Sequence, residues 1–171
     1  MKDFLLLANI NAITYKEFFP LLKGGKANTG YVFNKTLEFE TPEGETKKQT
    51  GICWYTTFPV IHKHLVLTKT YNPQDFQAYD NYDAINVDKV KDIPYDYDGV
   101  IGVPITFLGQ YSPEKFEILQ MCASHGKEVR NIPNENCHLN GKWCYPRILI
   151  RRKKSSPTRP RGISVKSTPI K

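Results

Sequence analysis

Long apolar runs are missing from this chain of 171 residues. No stretch approaches the roughly 20 apolar residues that a bilayer-crossing helix needs, so no helical membrane span is predicted. The opening, Met1-Lys2-Asp3 and then Phe4-Leu5-Leu6-Leu7-Ala8, is too short and too quickly polar for a secretory signal. These absences predict a soluble, cytoplasmic protein with no membrane partner. The four cysteines, Cys53, Cys122, Cys137 and Cys144, lack the spacing of a disulfide framework. No internal repeat is present, which excludes a solenoid. Acidic residues stop at Glu135, and everything beyond is neutral or basic.

What is present points to an anionic partner. Lysine and arginine number 24 against 17 aspartates and glutamates, a net charge of +7. Nucleic acid is the first candidate, a membrane surface or an acidic protein the next. The excess gathers at the end, in Arg151, Arg152, Lys153, Lys154, Arg159, Arg161, Lys166 and Lys171. Pro157, Pro160 and Pro169 interrupt this stretch, so residues 155–171 read as a disordered basic tail. Such a tail either adds phosphate contacts or is merely solvated; both readings stay open.

The local pattern is mixed α/β. Phe4 to Ile10 is a continuous apolar run, predicting a strand buried on both faces in a parallel sheet. Thr14 and Glu17 have capping-box spacing, predicting a helix over 15–22, limited by Pro20 and ended by Gly24-Gly25. Thr41-Pro42-Glu43-Gly44 is a turn signal. Gly51–Phe58 and His64–Tyr71 predict a β-hairpin. Ile101–Leu108, Phe116–Met121 and Tyr145–Ile150 are further strand candidates.

Several constellations carry two readings. Cys122-x-x-His125, with Cys137, His138 and Cys144 downstream, offers zinc-type ligands, against reduced thiols beside a small sheet. Asp96-Tyr97-Asp98-Gly99 has acids at alternate positions, but no calcium-loop pattern continues, so a turn is predicted. Tyr79, Tyr82, Tyr95 and Tyr97 suit either stacking on bases or ordinary packing.

Asn11-Ala12-Ile13-Thr14-Tyr15-Lys16-Glu17 with Pro20-Leu21, and Tyr79-Asp80-Asn81-Tyr82-Asp83-Ala84-Ile85, belong to a longer series of blocks. The series continues through Ile93-Pro94, the run Asp96 to Leu108 and the close Tyr145 to Lys153. In this order the blocks resemble the EcoRI-type adenine-specific DNA methyltransferases over most of residues 3–153. The resemblance implies a Rossmann-like methyltransferase sheet and methyl transfer from S-adenosylmethionine to the N6 of an adenine flipped from double-stranded DNA. It also implies membership of restriction-modification systems. Two family elements have no counterpart: no Pro-Pro and no Gly-x-Gly occurs in the sequence. In relatives the Asn-Pro-Pro-Phe loop lies just before the block that here begins at Lys2-Asp3-Phe4.

The expectation is therefore an α/β fold made of late strands and a helix of the methyltransferase sheet (1–72), then a β-rich DNA-facing region (73–154) and the tail (155–171). No residue is assigned a catalytic or cofactor-binding role. The chain alone is expected to be inactive and to bind no S-adenosylmethionine, with a second chain as a possible source of the cofactor half. Asn9, Asn11 and Thr14, at the carboxyl end of the first strand, border the substrate pocket or simply shape a turn and cap. Lys142, Arg147, Arg151, Arg152, Lys153 and Lys154 are the DNA-contact candidates. The alternatives are a non-catalytic nucleic-acid-binding module and a small zinc-stabilised interaction protein.

Overall fold

The computed structural model describes residues 2–30, 36–61, 65–123 and 136–153. His125, Lys154 and the tail from 155 lie outside the described residues.

The first strand, β1 (Leu5–Asn9), leads through a 3-10 turn at Ile10–Thr14 to a short helix, α1 (Phe19–Lys23), and then to β2 (Asn28–Thr29). A hairpin, β3 (Leu37–Glu40) and β4 (Thr46–Gln49), follows, and after it β5 (Ile52–Thr56). The turn signal at 41–44 closes that hairpin: Thr41 N–H donates to the Glu45 carbonyl at 2.9 Å, and Gly44 takes a φ of 81°. In the first sheet β5 lies between β1 and β2 and runs antiparallel to both.

Three expectations for this region are corrected. Among the described residues β1 has a single strand neighbour, an antiparallel one, and Leu5, Leu6 and Leu7 are 60%, 52% and 41% exposed rather than buried. Burial depends on what covers a strand, which an apolar run cannot specify. The helix is shorter than expected because Pro20 sits in its first turn, where a missing N–H costs nothing. Its N-cap is Phe18, and the Thr14 hydroxyl instead donates to the Asn11 carbonyl at 2.7 Å within the preceding turn. The expected pairing of 51–58 with 64–71 does not form. β5 is taken on both edges by β1 and β2, and among the described residues the later stretch makes one isolated bridge, Lys69 to Pro94.

The second half builds a four-stranded mixed sheet. Its strands are β6 (Ala84–Asn86), β7 (Val100–Pro104), β8 (Phe116–Cys122) and a last strand, β11 (Arg147–Arg152). Between β8 and β11 a small hairpin, β9 (His138–Leu139) and β10 (Lys142–Trp143), projects from the sheet's end. The sheet order is β6-β7-β11-β8, with β6 and β7 parallel and the other pairs antiparallel. The run 101–108 is a strand only to Pro104, where a fixed φ and a missing N–H end the ladder; Ile105–Gln110 is a 3-10 turn.

Both faces of this sheet are covered. Ile148 and Ile150 face a large apolar cluster with Ile101, Val103, Phe107 and Phe116, which also takes in Ile13, Leu22 and Tyr55 from the first half. Leu149 faces the other way, onto Tyr79, Ala84, Cys122 and Cys137. Successive core residues of β11 thus alternate between the two faces of the sheet.

Candidate nucleic-acid interface

The carboxyl end of β1 forms a closed turn. Asn9 Oδ1 accepts the Asn11 N–H at 2.8 Å, and Tyr15 N–H donates to the Ala12 carbonyl at 3.1 Å. Asn9 and Asn11 are exposed, whereas Thr14 is buried. The Ile10 N–H donates to the Gly51 carbonyl at 2.8 Å, and the turn contains no glycine. None of the three residues lines the cleft of about 780 Å³ that opens between the end of α1 and the start of β8. Lys23, Asn28, Tyr111, Glu117 and Lys153 do line it.

Of the basic candidates, Arg147 is already matched. Its guanidinium donates to Asp88 at 3.0 Å and to the Asn86 Oδ1 at 3.3 Å, and its side chain is only 12% exposed. The Tyr79 hydroxyl donates to the same Asn86 oxygen at 2.7 Å, and burial pushes that phenol's pKa well up. The strand β11 is thereby tied to β6 by a polar network rather than presenting a cation. Arg151 is exposed and Arg152 half-buried at the end of β11, with exposed Lys153 just beyond. Lys142 is exposed on the β9–β10 hairpin.

Cys122, Cys137 and Cys144 gather in one small cluster and form no disulfide, while Cys53 lies apart in the larger core. Cys122 and Cys137 are fully buried, and the Cys144 Sγ donates to the Cys137 carbonyl at 2.7 Å. The Cys137 thiol donates to Cys122, holding the Cys122 pKa below the ordinary thiol value and raising its own. Among the described residues no set of three or more His, Cys, Asp or Glu side chains is arranged to hold a metal. Asp96 sits in a turn, and its Oδ1 also accepts the N–H of the distant Tyr71 at 2.7 Å. Of the tyrosines, Tyr79 is buried, Tyr97 packs on Tyr71 at 4.4 Å between ring centroids, and Tyr95 is exposed. No helix among the described residues is long and apolar enough to cross a membrane.

Sequence reasoning passed over Trp143 and Tyr145, which are 66% and 78% exposed beside the hairpin turn. The signal was available: Asn140-Gly141 is the strongest two-residue hairpin dipeptide, and it fixes where the flanking aromatics point.

Comparison with known proteins defines the class and then the family. The relatives are type II methyltransferases: M.EcoRI of Escherichia coli is 39% identical over 173 residues, covering 90% of this chain and 51% of that protein. M.MgeORF184P of Mycoplasma genitalium is 30% identical over 188 residues (88% and 57%), and M.MpnI of Mycoplasma pneumoniae 30% over 191 (90% and 58%). Residues 1–153 match the family described as adenine-specific methyltransferase EcoRI. The chain belongs to this family of adenine-specific DNA methyltransferases. It spans between 51% and 58% of the length of these curated relatives. No solved structure matches.

Proposed function

We propose that this chain is the C-terminal, DNA-side portion of a site-specific DNA N6-adenine methyltransferase, and that it transfers no methyl group alone. The observation that carries this reading is a family match over residues 1–153 that covers only about half of each relative, in a sequence without Pro-Pro or Gly-x-Gly. S-adenosylmethionine would supply the methyl group in the complete enzyme, but the turn after β1 does not fit it. The donor and the base-gripping loop then belong to polypeptide outside these residues, in the same chain or a second one. Leu5, Leu6 and Leu7 support this: they are apolar on both faces of a strand that has one strand neighbour among the described residues, the arrangement of a strand inside a wider covered sheet. Residues 1–72 would then complete that sheet, with Asn9 and Asn11 bordering the pocket of a flipped adenine. Residues 73–154 would face double-stranded DNA.

Lys142, Arg151, Arg152 and Lys153 are the proposed phosphate contacts, and Arg147 orients the strand that carries two of them, Arg151 and Arg152. Replacing Arg151 and Arg152 together by alanine should weaken duplex DNA binding. The slope of log K against log salt should flatten by about 2, close to one unit for each phosphate that is no longer neutralised. Anisotropy titrations at several salt concentrations measure this, and an unchanged slope removes both residues from the interface.

A further inference from the structure

Trp143 and Tyr145 are large apolar side chains left open to solvent on a firmly held piece of backbone. The turn between β9 and β10 has Asn140 at a φ of 52° and Gly141 at 73°, the left-handed pair of a tight two-residue hairpin. Asp80 and Asn81 clamp it from the neighbouring loop. Asp80 Oδ2 accepts the Gly141 N–H at 2.7 Å, and the Asp80 N–H donates to the His138 carbonyl at 2.9 Å. Asn81 Oδ1 accepts the His138 N–H at 2.9 Å, while its Nδ2 donates to the Asn136 carbonyl at 2.9 Å. Cys144 turns inward, with both its N–H and its thiol on the Cys137 carbonyl. Because neighbours in an extended chain point opposite ways, this directs Trp143 and Tyr145 outward together, and their centroids lie 6.5 Å apart at 70°. Lys142, the residue before them, is exposed.

We propose that this hairpin is a stacking wedge, with Trp143 and Tyr145 packing on nucleobases that have left the duplex stack, while Lys142, on the other face of β10, adds a phosphate contact that does not depend on base stacking. The inference rests on the DNA-side reading above and adds to it the residues that meet unstacked bases. Two outward aromatic rings next to a lysine, on a hairpin that loses little freedom on binding, suit π-stacking with any base. Membership of a DNA methyltransferase family favours nucleic acid as the occupant.

The test uses the full chain with two short duplexes of arbitrary sequence, one fully paired and one with 2-aminopurine in a single mismatch. The wild-type chain should bind the mismatched duplex tighter by about tenfold or more, the range set by stacking of one base. Trp143→Ala with Tyr145→Ala should abolish that preference and leave the paired duplex bound with an unchanged salt slope. Lys142→Ala should weaken both duplexes alike. Both rings are exposed, so the variants should keep the wild-type thermal melt. Equal preference in wild type and the aromatic variant, with DNA binding intact, overturns the wedge but leaves the DNA-side reading standing. A change in self-association instead of duplex preference would assign the rings to a protein contact and also overturn it. No DNA binding by the folded wild-type chain defeats both.

Discussion

Alanine at position 107 should cost about 3–5 kcal/mol of folding free energy, the usual range for removing a buried phenyl ring. Phe107 has no exposed surface. Its ring meets Phe116 edge-on at 5.2 Å between centroids and Tyr111 at 5.8 Å, under the strands β7 and β11. The same cluster contains Ile13 and Leu22, so the cavity would open where the two sheets share their core. A stable domain holds only about 5–15 kcal/mol in total, so the variant should lose a large share of its stability and melt at a clearly lower temperature. Phe107→Leu, which refills most of the volume, should lose much less. Urea melts measure both, and a loss below about 1 kcal/mol for the alanine variant would mean that this site collapses freely.

Gly102→Ala should destabilise by about 3 kcal/mol, at the upper end of overpacking penalties. A Cβ there would stand 2.7 Å from Tyr79 Cζ and closer still to its Cε2 and hydroxyl. The ring cannot swing aside cheaply, because Tyr79 is buried and its hydroxyl is tied to Asn86, which also holds Arg147. The clash would therefore strain β6, β7 and β11 together. If that contact is the cause, the penalty should shrink in a Tyr79→Leu background, since the two sites are coupled. An undiminished penalty there would point to the backbone instead.

What the sequence made legible was mostly where local pattern and burial agree. The strands near 100–104, 116–122 and 147–152 are short apolar runs that read as strands, and Ile148 and Ile150 lie on the face opposite Leu149. Family membership was legible from ordered blocks of side chains. What failed was decided by distant neighbours. Leu5–Leu7 looked buried because nothing local says that a strand lacks cover. The stretch after Pro59 looked like the partner of β5, yet β1 and β2 occupy both its edges. The partners of Arg147, Asp88 and Asn86, lie some 60 residues earlier and are joined to it only by the β6-β7-β11 order, so no local pattern announced them. Thr14 had capping spacing, but the 3-10 turn at Ile10–Thr14 took its hydroxyl.

The most direct test of a DNA-side portion without its methyl-donor site is a paired binding measurement on the purified, folded chain. Duplex DNA is titrated at several salt concentrations, and S-adenosylmethionine is titrated by calorimetry on the same sample. Micromolar or tighter DNA binding that weakens linearly with log salt, and no heat with S-adenosylmethionine, is the predicted result. Saturable S-adenosylmethionine binding, or no affinity for DNA at low salt, would contradict it.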